Sequence, residues 1–151
     1  MSYIFTAADV EANSEFISDR KVHTAIPATG GNCELIWAKF EPGGTYELHS
    51  HPHEQMSVIV SGRMRLTVGD EVRDIGPGDM WYAPANVKHG GEILGDEPVV
   101  FIDVYAPPSR TIAQWVENKK ISRTTAVCLL RSSRSVESAG YWHCDIYRYF
   151  S

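Results

Sequence analysis

The 151-residue chain has only three cysteines, Cys33, Cys128 and Cys144, an odd number with no C-x-x-C pair. Neither a disulfide framework nor a cysteine zinc site is indicated. Long apolar runs are missing too: stretches such as Val99-Val100-Phe101-Ile102 fall far short of the roughly 18 residues a membrane span needs. The start, MSYIFTAADVEANSEF, lacks the basic and apolar regions of a secretory signal, so a cytoplasmic location is expected. Basic charge is in deficit, with 14 Lys+Arg against 19 Asp+Glu and a formal charge of −5. The basic residues do not cluster, which excludes nucleic acid as a partner. There is no internal repeat and no low-complexity tract. What remains, 43% hydrophobic and 22% charged, describes one soluble domain around a single core. Its unusual feature is histidine: His49, His51, His53 and His89, four of the six, lie within 41 consecutive positions.

Between Cys33 and Tyr105, short runs rich in Val, Ile, Leu, Trp and Tyr alternate with turn residues at close spacing, the rhythm of an all-β sandwich or barrel. Strands are predicted at 34–41, 45–50, 55–60, 63–68, 71–75, 79–83, 87–93 and 98–105. Pro42-Gly43-Gly44, Ser61-Gly62, Gly69-Asp70, Gly76-Pro77-Gly78 and Gly95-Asp96 supply the turn chemistry between them. Eight antiparallel strands of this length suit a jelly roll or small barrel with room for one ligand site. YIFT (3–6) and RKVHTAI (20–26) are candidate further strands. After Pro107-Pro108, Ile112, Trp115, Val116 and Lys119 recur at helical spacing and predict a short capping helix. Composition changes near Ile121. Residues 121–151 carry four Arg against two acidic residues and hold six serines. The domain is therefore expected to end near 120, with 121–151 an appendage.

His49 and His51 sit two apart at the end of a predicted strand, so alternation points both imidazoles to one face, where they can converge on an ion. Around them, in GGTYELHSHPHEQMSVIVSG, Gly43 stands six before His49, Gln55 four after His51 and Gly62 seven after Gln55. In GDMWYAPANVKH, Gly78, Pro84, Asn86 and His89 follow at spacings of six, two and three. These blocks resemble the paired motifs of the cupin superfamily, G-x5-H-x-H-x3,4-E-x6-G and G-x5-P-x-G-x2-H-x3-N. The resemblance covers residues 43–93, and the strand rhythm extends it to about 34–105. It implies a cupin jelly-roll β-barrel whose ligand positions, His49, His51, Gln55 and His89, bind one divalent ion: nickel, zinc, iron, manganese or cobalt. The chain departs from the pattern in having Gln55 for glutamate, Asn86 for glycine and Ile93 for the final asparagine. Asn tolerates a left-handed turn. Gln55 has the chemical consequence: three imidazoles and an amide leave a divalent ion at +2, a stronger Lewis acid than a carboxylate-bound one. Glu54 falls on the opposite alternation, which favours Gln55. His53 is expected at a pocket rim, while His23 and His143 are expected on the surface. A cupin fold that has lost its metal is the competing reading.

With HSHPHEQ, GDMWYAPANVKHG and the ending DVYAPPSR, the chain looks most like the small cupins that open the rings of unsaturated uronates in pectin and alginate catabolism. The resemblance implies functional roles for Asp103, Tyr105 and, one position later than the pattern, Arg110. The residues agree in part: Val99, Phe101, Asp103 and Tyr105 share one strand face, so an inward Phe101 carries Asp103 into an apolar cavity. A carboxyl group there must be neutral, paired or working as an acid or base. Asp103 is thus either a proton carrier or a structural carboxylate bound to backbone N–H groups. Arg110 is expected to clamp a carboxylate, and Tyr105 and Trp37 to wall the pocket. Arg63 and Arg65 share a face expected to be solvated. The expected activity is Lewis-acid chemistry of lyase or isomerase type on a small anionic sugar acid. A cupin-type dioxygenase and a non-catalytic metabolite-binding cupin are the alternatives. The family resemblance also suggests a homodimer.

Overall fold

The structure is a computed structural model that describes residues 2–109. Its elements in chain order are α1 (Ala7–Ala12), β1 (Glu15–Ile17), β2 (Val22–Thr29), β3 (Glu34–Phe40), β4 (Thr45–His49), β5 (Glu54–Ser61), β6 (Arg63–Val68), β7 (Glu71–Ile75), β8 (Met80–Ala83), β9 (His89–Leu94) and β10 (Val99–Ala106). All eight strands expected between Cys33 and Tyr105 are present, within two residues at each end. The N-terminal expectation is half right. RKVHTAI overlaps β2, but residues 3–6 form no strand. Tyr3 and Ile4 stay exposed at 87% and 83%, and Thr6 instead caps α1, its side chain accepting the Asp9 N–H at 3.2 Å. The capping helix expected after Pro108, Arg110 and the appendage 121–151 all lie outside the described residues.

The strands form two antiparallel sheets, one in the order β1-β2-β3-β10-β5-β8 and the other β4-β9-β6-β7. Sequence neighbours repeatedly fall in different sheets, the wiring of a jelly roll. Alternation decides which side chains enter the space between them. On β10, Val99, Phe101, Asp103 and Tyr105 are buried, as expected. Phe101 stacks on Phe40 and meets Trp81 edge-on, with ring centroids 5.5 and 5.3 Å apart. Ile59, Met64, Leu66 and Ile75 belong to the same core. Burying each such side chain contributes roughly 1.5–3 kcal/mol.

The same register corrects the reading of Trp37. It pairs with Ile102, whereas its neighbours Ile36 and Ala38 pair with Asp103 and Phe101. With a side-chain period of two, Trp37 lies on the sheet face opposite Asp103 and walls no pocket around it.

Glycine matters most where strands cross closely. A Cβ on Gly90 would meet the Glu47 carbonyl oxygen and Leu48 Cα, both at 2.7 Å, so β9 can lie against β4 only because this residue has no side chain. Cross-strand pairing then sets the site. His49 lies opposite His89, and His89 opposite Val68. In the larger sheet Gln55 lies opposite both Ala83 and Tyr105, and Tyr105 opposite Glu34. Two rows of side chains, one from each sheet, thus meet at one end of the barrel.

Candidate metal centre

One potential ligand nitrogen from each of His49, His51 and His89 lies within 4.8 Å of the other two. The elements that bring them together differ from the sequence expectation in one respect. β4 ends at His49, so strand alternation does not orient His51. The Asn86 N–H donates to the His51 carbonyl at 2.8 Å, and the His51 ring bonds the His53 carbonyl. Asn86, with φ +65°, takes the left-handed turn that the motif requires there. Two separate loops are therefore tied together at His51.

The hydrogen bonds define the chemistry of the three rings. Each Nδ1 faces a backbone carbonyl: His49 that of Glu47 at 2.7 Å, His51 that of His53 at 2.9 Å, His89 that of Val87 at 2.9 Å. A carbonyl only accepts, so each Nδ1 carries the proton. In a neutral ring Nε2 is then left as a bare lone pair. Burial favours the neutral form of two of the rings: it pushes His51 and His89 below the ordinary imidazole range, against the opposing hydrogen bonds.

Gln55 adjoins these rings and is fully buried. Its Oε1 stands 3.3 Å from His51 Nε2 and 3.0 Å from His89 Nε2. Its amide nitrogen reaches three acceptors, Asp103 Oδ1 at 3.0 Å, Ser57 Oγ at 3.1 Å and the Tyr46 oxygen at 3.3 Å. This orients the amide: N–H groups toward the carboxylate, oxygen toward the histidines. Lone pairs of Oε1, His51 Nε2 and His89 Nε2 thus face one another without a hydrogen between them. Such a set is repulsive alone and is stabilised by a cation. Glu54, the rejected alternative, is exposed, and its carboxylate accepts from the Tyr82 hydroxyl at 2.6 Å.

Asp103 is 4% exposed. Its carboxylate accepts from Ser57 Oγ and Gln55 Nε2, so its donors are side chains rather than the backbone N–H groups of the structural alternative. Burial pushes its carboxyl up to about 7 against the two hydrogen bonds, which favour the charged form. Tyr105 is buried with its ring 4.8 Å from that of His51. Burial and the nearby Asp103 charge raise the Tyr105 and Tyr46 hydroxyls above the ordinary phenol range. His53 lies at the rim, its ring bonded to the Pro107 carbonyl at 2.9 Å and stacked toward Tyr105. Arg63 and Arg65 are exposed, Arg65 bidentate to Asp74 at 2.8 and 3.1 Å. His23 is not a free surface residue: it sits 3.4 Å from Glu41 and packs on Phe16.

Two members of the site, Ser57 and Tyr46, and the nearby buried carboxylate of Glu34 escaped the sequence reading. Ser57 was accessible to it, since it shares Gln55's parity on β5. Tyr46 was not. Its spacing of three from His49 contradicts alternation, and a register shift between the two brings both rings inward, 5.5 Å apart. Glu34 shares the inward parity of Ile36, Ala38 and Phe40 on β3.

Residues 36–105 match the family model described as Cupin domain. The chain is 35% identical over 75 residues to the H2HPP isomerase of Bacillus subtilis, 49% of this chain and 32% of that protein. To the oxalate decarboxylase OxdC of Bacillus subtilis (strain 168) it is 32% identical over 79 residues, 49% of this chain and 20% of that one. It spans a third or less of the length of these curated relatives. The solved structure of KdgF from Halomonas sp. superposes with a TM-score of 0.60 at 25% identity, covering 66% of this chain and 92% of that one. The jelly-roll wiring, the two motif blocks meeting at one end of the barrel and the match over residues 36–105 together identify residues 36–105 as a cupin domain.

Proposed function

We propose that the protein is a metal-dependent enzyme that opens or tautomerises a small unsaturated sugar acid. The observation that carries this reading is the ligand set itself: three imidazoles with Nδ1 tied back to carbonyls and an amide oxygen turned toward them by its own N–H bonds. His49, His51, His89 and Gln55 are the proposed ligands. A divalent ion held there supplies Lewis acidity, with no ligand carboxylate to neutralise it.

This chain's own residues then divide the work. Gln55 couples the site to Asp103, whose buried carboxyl lies near neutrality and can hold or release a proton in the working range of pH. Ring opening of a hemiacetal and conversion of the enol to a ketone each need a proton moved, which suits Asp103 as the proton carrier. Tyr105, its ring packed at a tilt against that of His51, offers a rigid wall against the sugar ring and excludes water. Arg110 is proposed to clamp the substrate carboxylate. The motif resemblance to uronate ring-opening cupins supports the same substrate class, a small anionic sugar acid.

The test is direct. Metal-loaded protein is incubated with 4,5-unsaturated galacturonate, and loss of the conjugated ultraviolet absorbance is followed with and without oxygen. Oxygen-independent loss faster than in buffer is expected. No acceleration rules out the reading, and turnover that stops without oxygen would assign the protein to the dioxygenase alternative.

A further inference from the structure

Glu34 is a buried carboxylate that the chemistry above does not use. It is 1% exposed. Oε2 accepts from the Thr29 hydroxyl at 3.0 Å, while Oε1 is buried with no hydrogen-bond partner. Among the described residues no cation pairs with it. Leaving one oxygen of a buried carboxylate unpartnered is unfavourable, and native proteins rarely tolerate it without a ligand, water or function to explain it.

Its position in the sheet suggests what that partner is. Glu34 lies opposite Tyr105 across the β3–β10 pair, and Tyr105 lies opposite Gln55 across β10–β5. All three side chains are buried on the inner side of the sheet. Glu34 and Gln55 therefore flank Tyr105 in one row, two strand spacings or about 10 Å apart between backbones. The row has a cation-seeking end at Gln55 and the histidines, an aromatic plate in the middle and an acceptor end at Glu34. A carboxylate on the ligand suits the first end and is repelled from the last. Hydroxyl groups suit the last.

We infer that Glu34 is a positioning residue for polyhydroxylated carboxylic acids: its Oε1 accepts a hydrogen bond from a ligand hydroxyl while the ligand's carboxylate faces the histidine end. The inference rests on the proposed sugar-acid reading and adds the orientation in which the acid lies. Thr29 holds the carboxylate in place through Oε2, which leaves Oε1 as the free acceptor. A hydrogen bond to a charged acceptor is among the stronger ones, so its loss should be visible in affinity.

The experiment compares two saturated acids that lack the double bond of the proposed substrate, D-galacturonate and tetrahydropyran-2-carboxylate, the second having a comparable ring and carboxylate but no hydroxyls. Calorimetric titration of the metal-loaded full chain should show tighter binding of galacturonate. In Glu34→Ala that preference should fall about tenfold or more, with tetrahydropyran-2-carboxylate affinity and metal stoichiometry unchanged. Glu34→Gln, an isosteric replacement that retains an acceptor oxygen and guards against misfolding of the alanine variant, should lose less. An unchanged preference in Glu34→Ala overturns the inference, as does a wild type that binds neither acid or does not distinguish them. The two readings separate cleanly. Lost hydroxyl preference without any consumption of unsaturated galacturonate removes the catalytic reading and keeps Glu34's role. Turnover with the same kcat/KM in wild type and Glu34→Ala does the reverse.

Discussion

Replacing Asp103 by asparagine should remove a pH dependence from the stability of the metal-free protein. In the folded chain burial holds the Asp103 carboxyl at about 7, against an ordinary value of 3.8. Between those values the unfolded chain has released a proton that the folded chain keeps. Stability therefore falls as pH rises through this window and levels off above it. At ~1.4 kcal/mol per pH unit, the wild type should lose on the order of 3 kcal/mol between pH 5 and pH 8 that the variant does not. His51 and His89, lowered by burial, act in the opposite direction, since the unfolded chain binds their protons more readily. They are present in both proteins and largely cancel in the difference. Urea unfolding in EDTA at pH 5, 6, 7 and 8 reads the effect directly. With a slope of roughly 1–3 kcal/mol per molar urea, the wild-type midpoint should fall by about 1–3 M relative to that of the variant from pH 5 to pH 8. Parallel profiles would refute the claim that the carboxyl is buried near neutrality.

Other outcomes follow from the same contacts. His49→Ala/His51→Ala should bind almost no divalent metal by elemental analysis, against about one ion per wild-type chain; equal content in both would refute the ligand assignment. Gln55→Glu replaces the amide that donates to Asp103 with a second carboxylate about 3 Å away. The metal-free variant should be destabilised by roughly 1–3 kcal/mol at pH 8 and recover at pH 5, where one carboxyl is protonated. Denaturation curves with no such recovery would mean that the two groups do not face each other. Gly90→Ala forces a side chain into the backbone of Glu47 and Leu48. It should cost about 1–3 kcal/mol and weaken metal binding, because β4 carries His49; a variant with full stability in thermal melts would contradict the close approach. Asp103→Asn should abolish uronate turnover while retaining metal, and an active variant would leave Asp103 only a structural role.

Much of the architecture was legible in the chain. Turn residues separate runs whose alternation is sharp, because each strand buries one face against the other sheet, and Val99, Phe101, Asp103 and Tyr105 show this period directly. Motif spacing carried three of the four proposed ligands, and parity chose Gln55 over Glu54. Where alternation stops, so did the reading. Trp37 has the composition of a pocket wall, but one residue of register puts it on the opposite face. Tyr46 and His49 have incompatible parity, and only the irregularity in the β4–β9 pairing brings both inward. His51 reaches the cluster through a loop anchored by Asn86, a contact between segments 35 residues apart in the chain.

Gln55 shows the same boundary within one side chain. From its identity alone follows the charge it leaves on a bound ion, because an amide is neutral wherever it sits. That it also bridges the histidines to a buried carboxylate depends on Asp103 lying across the β5–β10 pair, 48 residues away in the chain. Local periodicity is a property of the strand, so sequence determined the strands, their inward faces and the histidine pattern. Cross-strand register is set by packing of the whole barrel. It alone decided that Gln55, Tyr105 and Glu34 share a row and that an acceptor lies at its far end.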